Sequence, residues 1–103
     1  MIYTTDQIRE IVTPIAASYG IKSLALFGSY ARHEATEDSD IDLLVDRDGM
    51  AGGWAIGGLY TDLAEALKKE LDMVTVTCAD FGFLQRIRNE AIMLYEREEK
   101  KAV

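Results

Sequence analysis

Two short apolar runs, Leu24-Ala25-Leu26-Phe27 and Ile41-Asp42-Leu43-Leu44-Val45, flank the most informative feature of this chain. Gly28-Ser29 closes the first run, and after ten intervening residues Asp40-Ile41-Asp42 opens the second. The first run reads as a buried strand and the second as another strand. On a strand, residues two apart share a face, so Asp40 and Asp42 project side by side. Two carboxylates held that close repel each other unless a proton or a cation lies between them. A glycine-serine turn that leads into a helix offers backbone N–H groups, which attract phosphate. Carboxylates for a divalent ion and a turn for phosphate together point to chemistry on a nucleotide.

The remaining composition narrows the field. With 103 residues and 49% hydrophobic side chains, the chain fits one small domain, 1–103, with a real core. Its 18 acidic and 11 basic residues leave a formal net charge of −7, which argues against nonspecific nucleic-acid binding. A nucleotide substrate stays open, because bound metal reverses the local field at the phosphates. The acidity also suits docking onto a basic protein. One cysteine, Cys78, excludes an internal disulfide and a cysteine-rich metal cluster. No signal-peptide pattern opens the chain and no apolar run reaches membrane-spanning length, so we expect a soluble, cytoplasmic protein.

Along the chain, Thr4 or Thr5 can cap a first helix whose stripe is Ile8, Ile11, Val12, Ile15 and Ala16. Pro14 is expected to interrupt or kink it. Residues 24–27 and 41–45 form strands, with a helical turn over 30–33 between them. A loop follows over 46–53, then a helix with Leu59, Leu63, Ala66 and Leu67 inward and Glu65, Lys68, Lys69 and Glu70 toward water. Residues 71–76 form a third strand. Ala79-Asp80 starts a last helix with Phe83, Leu84, Ile87, Ala91 and Leu94 at helical spacing, before a charged tail over 96–101. The expected order is helix, strand, strand, helix, strand, helix.

Asp72 opens the third strand among Leu71, Met73, Val74 and Val76, where a carboxylate is costly to bury without a partner. If the second and third strands are neighbours, Asp40, Asp42 and Asp72 converge at one end of the sheet. Such an oxygen set suits Mg²⁺, which keeps waters that phosphate oxygens can replace.

The stretch Gly28 to Asp42 resembles the Gly-Ser-x10-Asp-x-Asp signature of the DNA polymerase β-like nucleotidyltransferase superfamily. The short chain, Ser29-Tyr30-Ala31-Arg32 and Ser39-Asp40-Ile41-Asp42-Leu43 are similar to its minimal nucleotidyltransferase branch. The similarity continues through Leu71-Asp72-Met73-Val74 and the Phe83-Leu84 to Leu94-Tyr95-Glu96 stretch. The resemblance implies an α/β fold, a small mixed sheet of three or four strands flanked by helices. It implies that Asp40, Asp42 and Asp72 are catalytic and hold two Mg²⁺ ions, that Gly28 and Ser29 bind the triphosphate, and that Arg32 lies near it. The sequence departs from the pattern at His33, where related chains often carry Gly.

Some residues leave two readings open. Arg32 can meet phosphate or pair with Glu34 or Glu37. His33, the sole histidine, reads more simply as a solvated turn residue than as a phosphate contact or base. Trp54 can stack on a base or a partner, or anchor its loop onto the fold. Cys78 reads as a small buried hydrophobe, and the Lys68-Lys69 pair as a solvated helix face.

By the same resemblance the chain is an enzyme that transfers a nucleoside monophosphate, AMP from ATP, to an acceptor hydroxyl. Minimal nucleotidyltransferases of this kind are commonly antitoxins that adenylylate a tyrosine of a HEPN-domain RNase toxin, so the expected partners are a nucleoside triphosphate and such a toxin. Two alternatives stand beside this: an antitoxin that neutralises its partner by binding alone, and a small-molecule transferase resembling kanamycin nucleotidyltransferase. The second usually carries an extra helical domain for its acceptor, which this chain lacks.

Overall fold

The computed structural model describes residues 2–50, 54–77 and 79–98. Helix α1 spans Thr5–Tyr19 and is started by a reciprocal cap. Thr4 Oγ1 accepts the Gln7 N–H at 3.1 Å while Gln7 Oε1 accepts the Thr4 N–H at 2.8 Å, so two otherwise orphaned donors are satisfied. The helix ends at Gly20, whose φ of 68° is open to glycine at little cost. It runs through Pro14 without a break, contrary to the expected interruption. Pro14 is exposed, and the opposite stripe of Ile8, Val12 and Ala16 is fully buried, which outweighs one missing backbone bond.

Strand β1 (Ser23–Phe27) leads into the single helical turn α2 (Gly28–Ala31), then β2 (Ile41–Asp46), helix α3 (Ala55–Leu67), β3 (Leu71–Thr75), the short helix α4 (Phe81–Ile87) and β4 (Ile92–Glu96). The sheet order is β3-β2-β1-β4. Strand β1 pairs antiparallel with β2 and with β4, whereas β2 and β3 are parallel and joined through α3. This is the mixed sheet flanked by helices that the resemblance implied.

Pleat alternation splits the sheet into two faces. Leu24, Leu26, Ile41, Leu43 and Val45 are fully buried and pack with Ile8 and Val12 of α1 and Leu59, Leu63 and Leu67 of α3. Each such side chain contributes about 1.5–3 kcal/mol through removal from water. On the other face, Phe27 meets the Phe83 ring of α4 edge-on, with centroids 5.6 Å apart. The face beyond that contact stays open.

The carboxyl-terminal stretch departs from the expected helix. Helix α4 stops at Ile87, and residues 92–96 form a strand that pairs with β1, Leu26 against Ile92. The run Ile92-Met93-Leu94-Tyr95 fits both periods, and the tie is broken by the free edge of β1, whose backbone groups need partners. The tail is also held further than its charge suggested: the Arg97 N–H donates to Lys22 O at 2.8 Å and its guanidinium reaches Gly20 O at 3.1 Å. Among the described residues, no helix is long and apolar enough to cross a membrane.

His33 adopts a left-handed conformation, φ 60°, just after α2. That explains why glycine suits this position, since a Cβ there crowds the backbone.

Two measurements check these assignments by chemical denaturation. Leu94→Ala should cost about 3 kcal/mol, because Leu94 is buried, while Met93→Ala, one residue away and half exposed, should cost under about 1 kcal/mol. His33→Gly should leave stability unchanged or raise it by up to about 1 kcal/mol, whereas β-branched His33→Val should lower it by about that amount.

Candidate active site

Register puts three side chains in one row across the open face: Phe27 opposite Asp42, and Asp42 beside Asp72. Parallel pairing of β2 with β3 is what brings the two aspartates together, and Asp40 stands two residues before Asp42. Asp42 is half-buried, whereas Asp40 and Asp72 are exposed. Burial, then the charges of Asp72 and Asp40, push the Asp42 carboxyl up to about 6, with Arg32 opposing them. A divalent cation would relieve that crowding, so the donor chemistry fits Mg²⁺. Among the described residues, however, no three acidic, histidine or cysteine side chains stand close enough together to hold an ion.

The loop that delivers Asp40 is tied down. Thr36 donates its N–H to Ser39 Oγ at 2.8 Å, and Lys69 Nζ donates to Glu37 O at 2.8 Å and Ser39 O at 3.3 Å. Lys69 is therefore a clamp on this loop, not part of a solvated helix face. Lys68 ends α3 in a left-handed conformation and is exposed, as expected of the pair.

Gly28 follows Phe27 directly and lies against Asp42. Its φ is 73°, and a Cβ at this position would collide with Asp42 Oδ2. Both the turn and the carboxylate contact thus require glycine. Ser29 comes next, with its carbonyl accepting the Glu34 N–H at 2.9 Å, which folds residues 29–34 into a compact corner.

Arg32 is partnered twice. Its Nε donates to Glu34 Oε1 at 2.8 Å, the pairing one reading allowed, and its Nη1 donates to Glu90 at 3.1 and 3.3 Å. Glu90 also accepts the Gly28 N–H at 2.6 Å. Glu90 escaped the sequence reading because it fell within an expected helix, where an acidic residue passes for solvated surface. Only the strand assignment of 92–96 brings it opposite Gly28.

The other candidates separate from this cluster. His33 lines a cleft of about 400 Å³ with Tyr3, Thr4, Asp6, Tyr30 and Ala35, and the carboxylate row is not among its walls. That favours the solvated-turn reading. Trp54 is 85% exposed, so it does not anchor its loop onto the fold. Cys78 and residues 51–53 lie outside the described residues.

The sequence matches the family model described as polymerase beta nucleotidyltransferase over residues 10–100. Among similar proteins, a candidate protein adenylyltransferase of Methanocaldococcus jannaschii, MJ0435, is 37% identical over 84% of this chain and 94% of its own. Protein adenylyltransferase MntA of Thermococcus cleftensis is 29% identical over 86% of this chain and 94% of its own. A solved structure described as a minimal nucleotidyltransferase superposes with a TM-score of 0.74 at 31% identity, covering 87% of this chain and 95% of that one. A second, of tri-AMPylated Shewanella oneidensis HEPN toxin in complex with MNT antitoxin, reaches a TM-score of 0.68 at 21% identity over 91% of this chain and 74% of that one, a likeness of fold alone. With the model matching from the first helix to the last strand, and Gly28, Ser29, Asp40 and Asp42 spaced as the signature demands, this chain belongs to the polymerase β nucleotidyltransferase family.

Proposed function

We propose that this chain is a protein adenylyltransferase that moves AMP from ATP onto a tyrosine hydroxyl of a HEPN-domain toxin, and so acts as an antitoxin. The observation that carries this is the contact between Gly28 and Asp42. It joins a turn suited to phosphate and a carboxylate suited to metal in one place. The adenylyltransferase names of the relatives, and the AMPylated HEPN toxin in the complex, support the choice of nucleotide and acceptor.

In this reading Asp40, Asp42 and Asp72 hold Mg²⁺, two ions by the family resemblance. When bound, the metal supplies polarisation of the acceptor hydroxyl and charge neutralisation at the leaving pyrophosphate. The Gly28 N–H and Ser29 orient the triphosphate, and Arg32 lies near it as a planar cation. The acceptor hydroxyl oxygen forms a bond to the α-phosphorus as the bond from that phosphorus to the pyrophosphate oxygen breaks, with pyrophosphate leaving and the hydroxyl proton released to solvent. The open sheet face beside Asp72 leaves the acceptor side to be completed by a partner. An acidic chain of net charge −7 suits a basic partner surface.

A second reading is neutralisation by binding alone, in which the net charge of −7 does most of the work. One experiment separates the two. Incubation with labelled ATP, Mg²⁺ and a HEPN toxin encoded beside this chain should label the toxin, and Asp40→Ala or Asp42→Ala should reduce labelling by at least about a hundredfold. Toxin neutralisation that survives both substitutions without label would establish binding alone.

The proton held by Asp42 gives a further test. Its pKa is raised from the ordinary 3.8 to about 6 in the folded chain, so folding is favoured by this group at low pH and loses that contribution as pH rises toward and through about 6. In EDTA, Asp42→Asn should therefore unfold at a higher temperature than wild type at pH 7.5. The gain should be about 1 kcal/mol after allowance for solvent screening, and it should vanish near pH 3.5. Equal melting temperatures at pH 7.5 would refute the burial and crowding that raise this pKa.

A further inference from the structure

Antiparallel pairing of Leu26 with Ile92 brings residues two further along, Gly28 and Glu90, level with each other at the end of the β1–β4 ladder. Glu90 closes the turn between α4 and β4, and its side chain is 25% exposed. Its carboxylate accepts the Gly28 N–H at 2.6 Å and engages Arg32 Nη1 at 3.1 and 3.3 Å. A backbone amide and a guanidinium converging on one anionic oxygen pair make the arrangement that a phosphate group seeks. Carboxylate and phosphate are alike in offering charged oxygen acceptors. The Gly28 N–H is a single donor, so it cannot serve both at short range. Two anions on one donor pair would also repel strongly in a region already lined by Asp40, Asp42 and Asp72.

We infer that Glu90 is an internal stand-in for the triphosphate, holding Gly28 N–H and Arg32 until a magnesium-bound nucleoside triphosphate displaces it. The inference rests on the nucleotidyltransferase reading above and deepens it. Glu90 occupies the Gly28 amide and the Arg32 fork, and so sets an affinity threshold for the incoming phosphates. A ligand must bring enough negative charge, or enough metal, to win both donors. Triphosphate with Mg²⁺ does so, while an uncharged nucleoside does not compete for them.

Calorimetric titration with Mg·ATP, and with adenosine as an uncharged probe, tests this on wild type, Glu90→Gln, Glu90→Asp and Asp42→Asn. Glu90→Gln keeps the shape and one acceptor but removes the charge, so it should bind Mg·ATP about tenfold more tightly with adenosine affinity unchanged. Should that variant fail to fold by thermal unfolding, Glu90→Asp carries the test. Its shorter arm cannot span both donors, and binding should tighten by about threefold. Unchanged or weaker Mg·ATP binding in a folded Glu90 variant overturns the stand-in. The nucleotidyltransferase reading survives that result if wild type binds Mg·ATP and Asp42→Asn does not. Absence of Mg·ATP binding in every form overturns both.

Discussion

Contact between the Gly28 backbone and the Asp42 carboxylate is the point on which the rest of the site turns. Strand β1 ends at Phe27, opposite Asp42, and the chain must then leave the sheet without striking that side chain. Only a residue lacking Cβ allows it, and its positive φ starts the turn that carries Ser29 and Arg32 around the corner. The Gly28 amide and the Asp42 carboxylate oxygens are consequently set a few ångströms apart by one glycine. The buried face beneath, where Leu26, Ile41 and Leu43 pack against α1 and α3, makes that spacing rigid.

The open face above is electrostatically uncomfortable. Asp42 holds its proton to about pH 6 because it is half-buried beside two further carboxylates. Glu90 adds a fourth, paired with Arg32. Such burial and crowding lower stability at neutral pH, where Asp42 must ionise. Lys69 fixes the loop that precedes Asp40 through backbone carbonyls.

Much of the core and the acidic pair was legible in the sequence, because both follow from local periods. Leu59, Leu63 and Leu67 recur at helical spacing, and Ile41, Leu43 and Val45 alternate as a half-buried strand does. Residues 92–96 were not legible, since Ile92-Met93-Leu94-Tyr95 satisfies either period and its fate depends on a strand seventy residues earlier. Pro14 misled for a related reason: a local penalty was outweighed by tertiary burial of Ile8, Val12 and Ala16.

By itself the sequence determined the chemistry this chain can attempt: a glycine-serine corner, three aspartates, and a spacing whose resemblance to the nucleotidyltransferase signature the family match bears out. Those properties are carried by residue type and short separations, which survive in a linear string. Tertiary structure alone decided what surrounds them. Parallel pairing of β2 with β3 set Asp72 beside Asp42, and the β1–β4 ladder brought Glu90 onto Gly28 and Arg32. Both are long-range register choices, settled by which strand edges need hydrogen-bond partners and which faces need burial, and no local pattern records them.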